Sequence, residues 1–92
     1  MAHFALLFKV RDYPTWKRVF DEVDHQRRAA GGTDYQIYHV DGDRDDVMLM
    51  DGWDSLDNAE TFAESEGLRE AMGRAGVEGV PTFLFLNDGD SG

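Results

Sequence analysis

The sequence predicts an α+β fold whose elements follow in the order β-α-β-β-α-β, and three observations carry that expectation. The runs HFALLFKV, TDYQIYHV, VMLMDGW and TFLFL have the length and composition of strands. Two longer segments between them carry apolar residues at helical spacing behind an Asp or Ser cap. Glycines mark the joins, with Gly31-Gly32 after the first helical segment and Gly76 after the second.

Residues 3–10 form the first strand. Phe4, Leu6, Phe8 and Val10 alternate with His3, Ala5, Leu7 and Lys9, so one face is wholly apolar and the other mostly so. Asp12 then caps a helix whose early Pro14 costs no hydrogen bond. Tyr13, Trp16, Phe20, Val23 and Ala30 share one stripe of that helix. Arg27 lands on the same stripe and His25 on the opposite side.

Residues 33–40 form the second strand. The loop DGDRDD is expected to turn the chain into a third strand over residues 47–53, whose four leading apolar residues are too few for a helix. Asp41, Asp43 and Asp45 have the alternation of a calcium loop, but Asp46 and Gly52 stand where its glycine and terminal glutamate belong, so a solvated turn is expected. Ser55 caps a second helix through Leu56, Ala59, Phe62 and Ala63. Gly67 is expected to break it, Leu68, Ala71, Met72 and Ala75 to continue it, and Gly76 and Gly79 to close it. Pro81 opens the last strand, and the tail NDGDSG is expected to fray.

Right-handed crossovers place these strands in a four-stranded antiparallel sheet of order 4-1-3-2 with the helices on one face, the ferredoxin-like plan. The second sheet face would then expose a large apolar patch unless another copy covered it, so a twofold homodimer is expected.

At 92 residues the chain is read as one domain, residues 1–92, with a thin core. The absence of cysteine excludes disulfides and thiolate metal sites. No stretch has the length of a membrane span and no signal peptide is evident, so a cytosolic protein is expected. Nineteen acidic residues against nine basic ones give a net charge of −10, which disfavours nucleic acid and anionic membranes as partners. The acids are spread through periodic segments, and lysine is scarce. That pattern suggests a halophilic protein whose self-repulsion is screened in concentrated salt, where the Debye length falls to ~3 Å at 1 M.

The strand ending GWDS around Trp53, the helix NAETFAES and the piece GLREAMGRAGVEGVPTFLFL resemble the dimeric α/β barrel proteins. Within them the likeness is to the antibiotic-biosynthesis-monooxygenase-like group and its small "cyclase" members. The resemblance covers most of the chain and implies a cofactor-independent monooxygenase or cyclase, without metal or flavin, acting on an apolar aromatic or polyketide-like compound. In such chemistry the deprotonated substrate supplies the electrons to oxygen, and the protein supplies an aromatic pocket and a base. A non-catalytic ligand-binding or accessory protein is the alternative. Haem-degrading relatives need a strand asparagine, a helix tryptophan and a histidine ten residues later. Here the first strand has no Asn, while Phe62 and Met72 occupy the other two places, which argues against haem.

His3 and His39 are the candidate bases, since a neutral imidazole takes a proton near neutrality; a surface histidine is the competing reading of each. Trp53, Trp16, Phe20, Phe62 and Tyr35 are candidate substrate-binding walls together with Phe4 and Phe8, although the same inventory describes an ordinary core. Tyr35 and Tyr38 point to opposite faces, and the sequence does not choose between them. Arg27 either snorkels or offers an anion a partner inside the subunit. Met48 and Met50 read as core or dimer filler. Both ligand-dependent functions require a cavity of roughly 300 Å³ or more; without one, a structural or interaction role is expected.

Overall fold

The structure is a computed structural model that describes residues 2–92. Its elements are β1 (Ala2–Val10), α1 (Tyr13–Ala29), β2 (Gly32–Val40), β3 (Asp43–Trp53), α2 (Leu56–Ala63), α3 (Glu66–Ala75) and β4 (Val77–Asn87). The sheet runs β2-β3-β1-β4 with every neighbouring pair antiparallel, which is the expected order read from the other edge. The fold is ferredoxin-like. No helix of the described residues is long and apolar enough to cross a membrane.

Local chemistry accounts for the helix ends. Asp12 accepts from the backbone N–H of Thr15 at 3.1 Å and from its hydroxyl at 2.7 Å, satisfying donors that the helix start leaves open. Arg27 and Arg28 lie in the last turn, where the helix dipole favours cations. Gly31 then adopts φ +116°, and a side chain there would run into the Asp54 carboxylate.

Three boundaries differ from the sequence reading. The DGDRDD segment is not a loop: β3 begins at Asp43, and only Asp41 and Gly42 form the turn, with Gly42 at φ +86°. An Asp-Gly pair suffices for a tight hairpin, and the backbone ladder continues past the apolar core, with Asp43 opposite Val40 of β2 and Asp46 opposite Lys9 of β1. The break between the last two helices falls at Ser65 and not at Gly67. The Ser65 hydroxyl accepts from the Leu68 N–H at 3.2 Å, leaving Gly67 inside the first turn of α3. Finally, β4 starts at Val77, well before Pro81, and Gly79 lies within that strand. β4 is an edge strand, and the register slips opposite Leu7 to Lys9, so proline sits where no ladder bond is required.

All three helices cover one sheet face. Phe4, Leu6, Phe8, Val47, Leu49 and Trp53 point into them and meet Trp16, Val19, Phe20, Ala59 and Ala71. The other face has no cover. Leu7 and Leu84 are 41% and 44% exposed and Tyr38 is 52% exposed, against 1% for Phe4 on the sheltered side.

Candidate functional site

A cavity lies between the sheet and the helices. Phe4, Phe8 and Leu49 form its floor, Trp16 and Phe20 one wall, and Phe62, Leu68 and Met72 the opposite wall. Its free volume is about 60 Å³, within about 580 Å³ of interatomic space that includes the mouth open to solvent. The first figure measures room for a guest. It holds a few waters and falls below the 300 Å³ or so that both ligand-dependent readings require.

One end of this cavity is polar. The alternation of β3 directs Val47, Leu49, Asp51 and Trp53 toward the helices, so a carboxylate takes a core position between Leu49 and Trp53. Asp51 is 2% exposed, and its Oδ1 has no hydrogen-bond partner among the described residues. Arg27, also 2% exposed, lines the same end. Its Nε donates to Asp24 Oδ1 at 2.7 Å and its Nη2 to the Thr33 carbonyl at 2.6 Å. Its Nη1 is buried and unpaired among the described residues. Gly32 makes this seat possible, because a Cβ there would come within 2.6 Å of Nη1 and 2.9 Å of Cγ.

The electrostatics follow from that pairing. Burial pushes the Asp24 carboxyl up, but hydrogen bonds from Arg27 and Arg28 outweigh it and leave the group below its ordinary value. Asp24 therefore absorbs much of the Arg27 charge. Burial pushes Asp51 up to about 7; Arg27 pulls it partly back, and Asp24 adds to the rise. A carboxyl that changes charge near neutrality inside an apolar cavity can act as acid or base.

Of the residues singled out from sequence, Trp16, Phe20, Phe62 and Arg27 line this cavity, as do Phe4 and Phe8. Trp53 stands behind Phe62 with ring centroids 5.3 Å apart, and its indole N–H is buried without a partner among the described residues. Tyr35 faces the helices and packs edge-on against Phe20 at 4.8 Å, 5.7 Å from the Arg27 guanidinium carbon. Tyr38 is on the uncovered face. The histidines are elsewhere. His3 is on the uncovered face, its Nε2 2.9 Å from Asp88 Oδ1. His39 lies at the far end of β2, edge-on to Tyr13 at 4.4 Å, with its Nδ1 2.7 Å from the Arg44 carbonyl.

The polar group that sequence reasoning did not make a candidate base is Asp51. The signal was present: between Val47 and Trp53 it is the one acid in an alternate row that otherwise reads Val47, Leu49, Trp53. No cluster of three or more metal-ligating side chains occurs among the described residues.

No protein-family model matches the chain, and no curated protein matches it by sequence. Solved structures do match. SnoaB, a cofactor-independent oxygenase from Streptomyces nogalater, aligns with a TM-score of 0.79 at 11% identity, over 98% of this chain and 94% of its own. An antibiotic biosynthesis monooxygenase aligns with a TM-score of 0.72 at 9% identity, over 98% and 100% of the two chains. A conserved protein from Methanosarcina mazei Go1 aligns with a TM-score of 0.73 at 9% identity, over 97% and 94%. The likeness at these identities is one of fold. This chain has the fold of the antibiotic-biosynthesis-monooxygenase-like proteins.

Proposed function

We propose that this chain, which shares its fold with antibiotic biosynthesis monooxygenases, is a small-molecule enzyme of that type. Its substrate is an apolar aromatic or polyketide-like compound, oxygenated without metal or flavin. The observation that carries this reading is the aromatic-walled cavity under the helices, apolar along its length and ionisable at one end through Asp51 and Arg27. Such a site suits chemistry in which a ring is held, loses a proton and gives electrons to dioxygen. Because the resting void is only about 60 Å³, the cavity has to widen to admit a substrate. The expected result is saturable oxygen uptake when the protein is incubated with a naphthohydroquinone or an anthrone, measured with an oxygen electrode against buffer alone. Uptake no faster than the buffer rate would remove the oxygenase reading.

The same volume favours a second reading: an accessory or structural module of this fold that processes nothing. Failure of any ring compound to bind would select it.

The uncovered sheet face supports a homodimer in either case. Leu7, Tyr38 and Leu84 lie exposed on one sheet face that no helix shelters, and a second copy packed on that face would cover them. Light scattering in molar KCl, where the acidic surface is screened, is expected to give about twice the 10.4 kDa of the chain. A clean monomer would remove the dimer.

A further inference from the structure

We infer that Asp51 accepts a proton from the bound ligand, and that this ligand is a weak oxygen acid, a phenol or enol, whose anion is held by Arg27. The inference rests on the cavity being a small-molecule site, and it adds which residues act and which functional group they recognise.

Two buried polar atoms on one apolar cavity lack partners among the described residues: Asp51 Oδ1, which accepts, and Arg27 Nη1, which donates. Buried polar groups in folded proteins are normally paired, and an unpaired one is costly. The guest that suits this end therefore presents one donor and one acceptor. A hydrocarbon satisfies neither atom. A carboxylate would suit Arg27 but adds a third negative charge beside Asp24 and Asp51. An ammonium would suit Asp51 but faces the guanidinium. A neutral hydroxyl matches both atoms, giving its hydrogen to Asp51 and its oxygen to Arg27.

Charge conservation makes the transfer feasible in a buried place. The ligand O–H bond breaks, the proton moves to Asp51 Oδ1, and the electron pair stays on the ligand oxygen opposite Arg27. One negative charge leaves the aspartate as one appears on the ligand, so no new charge is buried. The groups that face this end come from every element packed against it. α1 contributes Arg27 and Asp24, the latter held ionised by Arg27 and Arg28; β2 contributes Tyr35 directly across; β1 contributes Phe4; α2 and α3 contribute Phe62 and Leu68.

The test uses 4-nitrophenol, a single-ring phenol that ionises near neutrality and changes colour when it does. At pH 8 both free partners are largely ionised, and a site with room for one shared negative charge must take up a proton when they meet. The expected result for the full chain is uptake of close to one proton per phenol bound, with the phenolate colour retained. Affinity should also weaken about tenfold per pH unit above 8. Asp51→Asn should bind with neither the uptake nor the pH slope. Binding by the unaltered protein without uptake, binding as the colourless neutral phenol, or uptake that persists in Asp51→Asn would each overturn the assignment while leaving the cavity reading intact. Absence of saturable binding would overturn the cavity reading and this inference with it. The unaltered protein's own proton uptake decides the matter even if the variant does not fold.

Discussion

Asp51→Asn is expected to stabilise the protein at pH 8, by on the order of 3–4 kcal/mol more than it does at pH 4. The Asp51 carboxyl sits at about 7 in the folded chain against an ordinary 3.8. Between those values the native state holds a proton that the unfolded state has lost. Stability contributed by the protonated group is therefore complete below about 4, falls as pH rises through the window, and is gone above about 7. Asparagine does not ionise and escapes that loss. Any fixed cost of the new amide, such as an unpaired N–H, is the same at every pH and cancels when variant and parent are compared across the range. Paired urea melts at pH 4, 6 and 8 measure the difference directly. A gap that stays flat would mean that water reaches the carboxylate and that the cavity end is wet. The shift is a large fraction of the ~5–15 kcal/mol stability of an ordinary domain.

Trp53→Ala is expected to cost about 3–5 kcal/mol, enough to leave the chain largely unfolded in dilute buffer. Trp53 is fully buried where β3 ends, its backbone opposite Ala2 on β1 and Gly32 on β2, and its ring rests against Phe62 of α2. Removing it empties the joint between the sheet and the helix that walls the cavity. Trp53→Phe should cost much less. It keeps most of the packing and deletes an indole N–H that has no partner among the described residues, so the smaller volume is offset by one fewer stranded donor. Urea melts of both variants in molar KCl would show the order. Equal losses would mean that the indole N–H makes a bond to water that the phenylalanine cannot replace.

Much of this is legible in the sequence. Periodicity over residues 3–10 separated the inner row of Phe4, Leu6 and Phe8 from the outer row of His3, Leu7 and Lys9. Asp12 and Ser55 were recognisable caps, and the element order left one sheet topology. Boundaries read less well wherever backbone pairing outran hydrophobicity. Asp43 to Asp46 carry no apolar side chain, yet Asp43 pairs with Val40 of β2 across the tight Asp-Gly turn and Asp46 pairs with Lys9 of β1. β4 runs through Gly79 and Pro81 because an edge strand leaves one row of its N–H and C=O groups outside the ladder.

The candidate site divides along the same line. Its walls could be named from sequence, because Trp16, Phe20 and Phe62 sit on apolar stripes that must turn inward. Of its ionisable end Arg27 could be named, but Asp51 could not be made the base. His3 and His39 drew attention through their intrinsic proton affinity, a property of the residue type alone. Asp51 acquires a comparable affinity only from its surroundings, when β3 sets it under the helices and Asp24 draws off the charge of Arg27. Alternation along a chain is a local property and is determined by sequence. Desolvation and the sharing of a guanidinium among carboxylates depend on distances between segments far apart in the chain, and only the tertiary structure decides those.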